Sequence, residues 1–428
     1  TIAEGTDASP PTPNDDVASE FYNYDDMLGA KIIASTDVSH CIPRRNWTTG
    51  TTYDKYEHNI SSSNTANSGA TNLFDSTFVV MNSSYAVYKV IDNDGNTAST
   101  VEPTSTSNSI FTTSDNYKWK YMYSLTSAET LNFMSTDFIH VSTDSTVSAA
   151  AVDGALDTIE IIAGGSSYNT SSGSTISAIP IRGDGSSGEC TVVVSSNAVS
   201  SVTITTAGSG YTFASIKASD FGDVSGADID FIISPPDGHA SNVVTELGGF
   251  FVMTNTNFEG AETSNSGDFT TSNDFRRVCI IKDPESGGSA ATASTLRGSK
   301  AVLLTGTPGT FTVDEEINQA STGAVGKVVE YDSTNKILYW YQTRFPDVGT
   351  DSNGNLTAFS GANVVSGTGG ASGTPVTTSG TVNNVVIASG YSVPEIDHDS
   401  GDVLYVENRA PITRAADQTE NIKLIIEF

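Results

Sequence analysis

Basic residues are scarce in this chain of 428 residues. Twenty Lys and Arg side chains face fifty Asp and Glu side chains, so the formal net charge is −30 at pH 7. Because proteins bind nucleic acid phosphates through a Lys/Arg surface, this balance argues against nucleic acid as a direct partner. It argues equally against docking on anionic lipid. The acidic surface favours solubility and repulsion between free subunits.

Cysteine is nearly absent, and long apolar runs are missing. Cys41, Cys190 and Cys279 lie far apart without a Cys-x-x-Cys pair, so neither a zinc site nor a disulfide framework is predicted, which fits folding in a reducing cytoplasm. No apolar run approaches the ~18 residues that span a bilayer, so membrane insertion is not expected. The chain starts at Thr1 without an initiator methionine or signal-peptide pattern, and we expect a further N-terminal segment before it.

Recognisable catalytic motifs are also missing. The five histidines form no i, i+4 pair, and the chain has no GxSxG elbow, Walker loop or GxGxxG after a strand. The DNDGN stretch at 92–96 resembles part of a calcium loop, but Val90 and Val101 would occupy its first and twelfth ligand positions, so a hairpin turn is the better interpretation. We therefore predict no enzyme, no cofactor and no catalytic, cofactor-binding or metal residue.

Ser, Thr, Asn and Gly make up much of the polar remainder. These residues disfavour long helices, whereas Thr, Val, Ile and Tyr suit strands. Strands are predicted at 78–81, 85–91 and 117–123, and the last alternates aromatic with basic residues as a half-exposed strand does. A short helix is expected over 127–134, capped by Ser127. The composition predicts a mainly β fold with few short helices.

A repeat runs through the middle of the chain. Residues 156–168 align without gaps to residues 199–211, at an offset of about 43 residues, and a shortened copy follows at 382–391. Each copy predicts a strand that ends in a glycine turn, with a tyrosine folded back over it. These tyrosines are Tyr168, Tyr211 and Tyr391.

The repeats and turn signals predict several domains. The prediction is an extended N-terminal arm at 1–20, a discontinuous β-sandwich-like core at 21–149, 240–289 and 393–428, an inserted Gly/Tyr-repeat β module at 150–239, and a second inserted β module at 290–392. Within the second module, residues 335–341 are expected to return as the hairpin partner of 323–332.

Two segments carry more specific chemistry than ordinary turns. The sequence CIPRRNW at 41–47 places two guanidinium groups and an indole beside a proline, and Arg and Trp are favoured interface anchors. Pairing with nearby acidic residues of the same subunit is the alternative. The C-terminal segment 401–428 predicts a strand, a charged loop and a terminal strand. The candidate core-clamping or interface residues are Arg44, Arg45, Trp47, Glu407, Asn408, Arg409, Asp417 and Gln418.

These segments also carry a family resemblance. IPRRNW near the start, with LYVENRAPI and ADQTENIKLIIEF near the end, resembles the dimeric β-rich baseplate wedge subunits of T-even-type contractile-tailed phages. The resemblance covers roughly 20–145, 245–285 and 395–428, and both modules look like insertions. It implies a structural virion protein of the tail baseplate, assembled in the host cytoplasm, which forms a homodimer and contacts other baseplate wedge proteins.

Two further functions were weighed. A tail adhesin or carbohydrate-binding module that contacts the host surface would use Tyr168, Tyr211 and Tyr391 as stacking platforms, although their place after a glycine turn favours packing within the repeats. A tail-associated hydrolase has no support beyond abundant carboxylates.

Overall fold

The protein forms two compact units. The computed structural model describes residues 8–9, 12, 23–168, 174–221, 226–261, 269–270, 277–343, 349–410, 412 and 419–427. The first unit consists of Ser35–Asn255 and Lys423–Phe428, and the second of Thr1–Ala34 and Thr256–Ile422. Antiparallel sheets dominate, which confirms the prediction of a mainly β fold with few short helices.

The first unit contains short strands and three short α-helices within its described residues. Its strands are β1 (Val38–Pro43), β2 (Val79–Met81), β3 (Ala86–Asp92), β4 (Phe111–Thr112), β5 (Lys118–Ser124), β6 (Phe138–His140), β7 (Leu156–Gly164), β8 (Ser174–Pro180), β9 (Arg182–Gly183), β10 (Ser186–Ser195), β11 (Ala198–Ser209), β12 (Ala214–Ser215), β13 (Ala227–Ile233) and β14 (Phe251–Ala261), which continues into the second unit. Its helices are α1 (Ser127–Phe133), α2 (Ser145–Ala149) and α3 (Val243–Leu247), with 3-10 turns at Ser35–Asp37, Leu73–Asp75 and Ala218–Asp220.

The sheet β2-β3-β5-β4 forms the centre of the first unit. The predicted strands at 78–81, 85–91 and 117–123 are confirmed, and β3 pairs with both β2 and β5 in antiparallel register. Tyr88 and Trp119 are fully buried, with ring centres 6.4 Å apart. Burial of one such side chain contributes about 1.5–3 kcal/mol, so this aromatic core is a main source of stability.

Strand β5 differs from its prediction. The alternation of aromatic and basic residues predicts a half-exposed strand, but Lys120 is buried and donates to the carbonyl oxygen of Asn108 at 2.5 Å. The prediction of a half-exposed strand was wrong because this face of the sheet is covered. On the neighbouring strand, Lys89 contacts Glu246 of α3, so a distant segment packs over the lysine face.

The N-cap of helix α1 lies one residue before the predicted cap, Ser127. Thr126, not Ser127, is the N-cap: its hydroxyl accepts from the Glu129 amide, and the Glu129 carboxylate accepts from the Thr126 amide. This reciprocal pair satisfies two of the amide groups that a helix start leaves without partners. The predicted helix is therefore confirmed, and its predicted cap is corrected by one position.

The 150–239 segment has a hydrophobic cluster of its own. Strand β10 lies between β8 and β11, and β7 pairs with β13. Tyr168 and Tyr211 are 0% and 2% exposed within this cluster. Each of these two rings lies beside the glycine three residues before it, because a Cβ on Gly165 would lie 2.8 Å from Tyr168 Cε2 and one on Gly208 would lie 2.8 Å from Tyr211 Cε2. The division of the whole chain into an interrupted core and two insertions remains a prediction.

The second unit is built around one larger sheet. Its strands are β15 (Phe269–Thr270), β16 (Arg277–Lys282), β17 (Glu285–Ser286), β18 (Ser289–Ala290), β19 (Lys300–Leu303), β20 (Glu316–Gln319), β21 (Ala324–Asp332), β22 (Ile337–Tyr341), β23 (Val365–Gly367), β24 (Ser372–Gly373), β25 (Gly380–Val382), β26 (Val385–Ile387), β27 (Tyr391–Ser392), β28 (Asp402–Asn408) and β29 (Thr419–Glu427), which ends in the first unit.

The sheet order in the second unit is β24-β23-β20-β21-β22-β19-β27. The predicted hairpin is confirmed as β21 and β22. Its turn is fixed by Asp332, whose Oδ1 accepts from the amides of Thr334 and Asn335 at 3.0 Å each, while Lys336 adopts a left-handed conformation with φ of +59°. Asx turns of this kind let a carboxylate replace a backbone acceptor. Separately, β16 and β28 form a two-stranded ribbon.

Candidate functional site

Arg44 ties the end of β1 to the segment between α1 and β6. Its Nη1 donates to the carbonyl oxygen of Ser135 at 2.8 Å, and its Nε donates to Asn46 Oδ1 at 3.0 Å. Its backbone amide donates to the carbonyl oxygen of Asp137 at 2.7 Å. The half-buried guanidinium therefore holds two loops of the same chain together.

Arg45 and Trp47 continue this contact inside the first unit. The Trp47 indole donates to Ser99 Oγ at 3.0 Å, and its ring packs against the main core. Burial lowers the pKa of the Arg45 guanidinium, and the carboxylates of Asp54 and Asp75 oppose that shift. Contact of these residues with other subunits, and the alternative of pairing with acidic residues of the same subunit, both remain predictions.

The second predicted group lies at one end of the β16–β28 ribbon. Asn408 is paired with Arg277 across the two strands, and Arg277 Nε donates to Asn408 Oδ1 at 3.3 Å. Arg409 Nη2 lies 3.0 Å from Glu407 Oε2. The structure therefore brings Glu407, Asn408 and Arg409 together in the second unit, whereas Arg44, Arg45 and Trp47 belong to the first. Asp417 and Gln418 lie outside the described residues.

The ribbon itself is unusually apolar for a surface element. Four consecutive residues of β16 are half-buried: Val278, Cys279, Ile280 and Ile281. Most residues of β28 are half-buried as well. Leu404 is 57% exposed because it is the extra residue of a β-bulge opposite Ile280 and Ile281. Within the described part of the chain, neither strand pairs with a third strand. Two strands with apolar side chains on both faces form a surface suited to association.

The repeat tyrosines are poorly placed to serve as the predicted sugar-stacking platforms. Tyr168 and Tyr211 are buried, and Tyr211 Oη donates to the carbonyl oxygen of Ile181 at 3.0 Å. Neither ring presents a face to solvent. Tyr391 is half-buried, and its hydroxyl donates to the carbonyl oxygen of Gly361 at 2.8 Å.

A buried charge cluster in the first unit was missed by the sequence reasoning. Lys89 is 0% exposed, and its Nζ lies 2.8 Å from Glu246 Oε1. The two nitrogens of His239 lie 2.8 Å from Glu246 Oε1 and 2.8 Å from Asp157 Oδ2. The Tyr56 ring covers the ammonium, with Nζ 3.4 Å from the ring centre. The available signal was Lys89 itself, a charged residue inside an apolar strand.

Glu246 links the two basic side chains of this cluster, because its Oε1 lies 2.8 Å from both Lys89 Nζ and His239 Nδ1. Burial on its own raises the pKa of Glu246, but Lys89 and His239 outweigh it, and the pKa falls to about 2. The cluster joins β3, β7 and α3, so its geometry serves to lock the 150–239 segment onto the central sheet.

His398 of the second unit contacts Asp25 and Tyr24. His398 Nε2 lies 3.2 Å from Asp25 Oδ1, and its Nδ1 lies 3.0 Å from Asp399 Oδ1. The Tyr24 ring packs on the imidazole with centres 5.3 Å apart, and its hydroxyl donates to the carbonyl oxygen of Ser400. Burial alone lowers the pKa of His398, but the hydrogen bonds to both carboxylates outweigh it, and the pKa is raised.

This arrangement predicts a pH dependence of stability. Because the folded pKa lies above the unfolded value of about 6.5, the stabilisation by His398 is complete below about pH 6.5 and is lost as the pH rises through the folded pKa. We expect His398→Gln to increase hydrogen exchange of segment 23–34 at about pH 6, with a smaller increase at about pH 8. Exposed His58, changed to Gln, is the control. A difference between wild type and variant that does not vary with pH would contradict the prediction.

The cysteines are unsuited to nucleophilic or redox chemistry. Burial raises the pKa of Cys190 to about 11 and that of Cys279 to about 12. Burial likewise raises the pKa of Cys41 to about 12. These thiols stay protonated at neutral pH, and the thiolate is the reactive form. In the ranges described above, no group of three or more His, Cys, Asp or Glu side chains is placed to hold a metal ion.

Among the residues that the structure describes, none of the helices has the length and apolar character needed to span a membrane.

Comparisons with known proteins identify no family for this chain. No protein-family model matches the sequence. No curated protein matches it either.

Proposed function

We propose that this chain is a structural subunit of a contractile phage tail baseplate wedge, which dimerises and connects neighbouring wedge proteins. The sequence support is the resemblance of IPRRNW, LYVENRAPI and ADQTENIKLIIEF to that family. The structural support is a mainly β fold with buried aromatic and charged clusters, together with the apolar side chains of the ribbon.

The observation that carries the proposal is the β16–β28 ribbon. Its β-bulge pushes Leu404 outward, and half-buried aliphatic side chains flank it on both strands. An isolated two-stranded ribbon is only marginally stable in water. A protein that covers this ribbon gains hydrophobic burial without disturbing its own core. The neighbouring Glu407 and Arg409, paired to each other at 3.0 Å, supply polar groups for the rim of such a contact.

The proposed mechanism is positional. Subunits held by apolar burial at the ribbon keep their neighbours in fixed places, and the acidic surface discourages association elsewhere. A rearrangement of the assembly then proceeds by rigid-body movement of whole β units, since their buried charges and aromatic cores resist local unfolding. The subunit acts in the virion after assembly in the host cytoplasm.

The test is the mass of the purified chain in solution. We expect a dimer in sedimentation equilibrium, and we expect Leu404→Asp to weaken the association about tenfold or more. The loss of one buried leucine contact, ~1.5–3 kcal/mol, corresponds to that change. Leu131, which is 72% exposed on α1, provides the matched control, and Leu131→Asp should leave the association unchanged.

A monomer or a trimer would overturn the proposal. A wild-type chain that remains monomeric at high concentration lacks the predicted self-association. A trimer would instead favour a fibre or adhesin that contacts the host surface. If the dimer forms but Leu404→Asp has no more effect than Leu131→Asp, the ribbon is not the contact surface.

A further inference from the structure

Residues 23–30 contact both ends of the β16–β28 ribbon within the second unit. Arg277 stands at the start of β16, and its Nη1 donates to Asn23 Oδ1 at 2.8 Å. At the opposite end of the ribbon, the Tyr24 hydroxyl donates to the carbonyl oxygen of Ser400, just before β28 begins. Because these contacts come from adjacent residues of the stretch, a short piece of chain bridges the ribbon lengthwise.

The same stretch lies over one face of the ribbon. Asp26 Oδ1 lies 3.7 Å from Arg277 Nη1. Cys279 is two positions further along β16 and points to the same face as Arg277, because side chains alternate along a strand. Burial raises the pKa of the Cys279 thiol, Arg277 opposes that shift, and the negative charge of Asp26 adds to it. Both the ion pair and this electrostatic effect therefore place Asp26 on the Arg277–Cys279 face.

A further anchor joins this stretch to the large sheet. Gly29 forms an isolated antiparallel bridge with Arg297. Met27 lies so close to Gly298 that a Cβ atom on this glycine would be 2.6 Å from the Met27 carbonyl oxygen. Arg297 and Gly298 lead into β19, which pairs with β22 and β27. Residues 23–30 therefore connect the ribbon to a well-paired strand of the same unit.

The ribbon needs support of this kind. Among the described residues it pairs with no third strand, and two strands alone are only marginally stable in water. A surface that keeps its shape in only a fraction of the chains binds with an apparent affinity reduced by that fraction. Leu404 stays 57% exposed while the stretch is in place, so this support is compatible with a contact through Leu404.

We propose that residues 23–30 are a strap that holds the β16–β28 ribbon in the shape that a second copy of this chain binds. The strap fastens both ends of the ribbon and connects it to β19, and the second copy packs on side chains that remain exposed, with Leu404 among them. Loss of the strap leaves a marginal ribbon and weakens self-association. The inference rests on the proposed function, because it assigns a support to the surface through which that dimer is proposed to form.

The thiol of Cys279 reports whether the strap is closed. Maleimide labelling of the full chain, resolved by peptide mass spectrometry, measures how often this thiol becomes accessible. Asn23→Ala removes the acceptor of the Arg277 guanidinium, and Gly298→Ala places a Cβ against the backbone of the strap. We expect each variant to speed the labelling of Cys279 about tenfold or more.

Controls separate strap opening from general unfolding. Gly380→Ala, where a Cβ would meet nothing within 4 Å, is matched to Gly298→Ala and should label at the wild-type rate. Hydrogen exchange over β21 and β22 should stay at the wild-type level in every variant, because the strap does not contribute a strand to that sheet.

Sedimentation equilibrium measures the effect of the strap on self-association. The triple variant Asn23→Ala, Tyr24→Ala and Gly298→Ala weakens the anchors at both ends of the ribbon and at β19. Its Cys279 should label nearly as fast as in the urea-unfolded chain. We expect its self-association to be about tenfold weaker or more, because only chains with a closed strap are competent to bind.

The inference is wrong if Asn23→Ala and Gly298→Ala leave Cys279 labelling at the wild-type rate. It is also wrong if the triple variant labels fast and still associates as tightly as the wild type. Tighter association would overturn it as well, because the strap would then be a cover that competes with the second copy. A wild-type chain that stays monomeric rejects the proposed function itself, whereas a dimer that is indifferent to the strap rejects only this inference.

Discussion

Replacement of Lys89 by methionine is expected to lower the free energy of unfolding of the first unit by about 3–5 kcal/mol, the range for removal of one partner from a buried ion pair. Lys89 is fully buried, and its ammonium lies 2.8 Å from Glu246 Oε1. Methionine has a similar length but carries no charge. The buried carboxylate of Glu246 would then lose the ammonium group that lies against it.

Urea unfolding measures the free energy of unfolding. Hydrogen exchange, resolved by peptide, measures the loss of protection in β3, β7 and α3. Lys118→Met on the adjacent strand is the matched control. Its ammonium lies 2.9 Å from Asp92 Oδ2, but both side chains are partly exposed, so we expect a loss of at most about 1 kcal/mol. If Lys89→Met also lowered the free energy of unfolding by no more than about 1 kcal/mol, the inference that this cluster holds the 150–239 segment on the central sheet would be wrong.

A double variant separates the charge from the packing. Lys89→Met with Glu246→Gln removes one cation and one anion together, and His239 Nε2 remains 2.8 Å from Asp157 Oδ2. We expect the double variant to be less destabilised than the sum of its single variants, because each single change leaves an unbalanced buried charge. Additive losses would show that the side chains contribute through packing alone.

The same cluster shows where sequence reasoning stops. Alternating and apolar runs predicted β2, β3 and β5, and turn residues predicted the β21–β22 hairpin, since each of these depends on neighbours close in sequence. The burial of Lys89 depends on Glu246, which lies 157 positions further along the chain. No local pattern records that pairing, and the aromatic–basic alternation of β5 therefore predicted an exposed face where a covered one exists.

The same limit applies to the candidate site residues: their proximity could be predicted from the sequence, but their partners could not. The proximity of Arg44, Arg45 and Trp47, and of Glu407, Asn408 and Arg409, follows from their adjacency in sequence. Their partners do not: Arg44 donates to the carbonyl oxygen of Ser135, and Arg277 pairs with Asn408 from a distant strand.

Replacement of Tyr211 by alanine is expected to cost the 150–239 segment about 3–5 kcal/mol, as for other large aromatic deletions in cores. The ring is buried, and its hydroxyl both donates to the carbonyl oxygen of Ile181 and accepts from the Gly188 amide at 3.1 Å. Tyr211→Phe should cost about 1–3 kcal/mol, because it leaves these two buried groups without their partner. Hydrogen exchange over β10 and β11 reports both losses. Phe213→Ala, at an exposed aromatic of the same segment, should stay within about 0.5 kcal/mol.

Glycines make room for this ring. A Cβ atom on Gly185 would lie 2.4 Å from Tyr211 Cγ, and one on Gly188 would lie 2.8 Å from Tyr211 Oη. On Gly208, with φ of +61°, it would lie 2.8 Å from Tyr211 Cε2. Real Cβ atoms do not approach other atoms so closely, so Gly185→Ala should cost about 1–3 kcal/mol through overpacking. Gly380→Ala, where a Cβ would meet nothing within 4 Å, is the control.

The two changes should be strongly coupled. In the Tyr211→Ala background the ring no longer opposes a Cβ on Gly185, whereas the contact of 2.6 Å with the carbonyl oxygen of Ser209 remains. Gly185→Ala should therefore cost less in that background than in the wild type. An equal cost in both would mean that the glycine serves the backbone alone. The expected coupling would explain why glycine and tyrosine recur together in the repeat: Tyr168 also lies against its own Gly165, where a Cβ would be 2.8 Å from Tyr168 Cε2. The repeated pattern then specifies how the rings of Tyr168 and Tyr211 pack inside the fold.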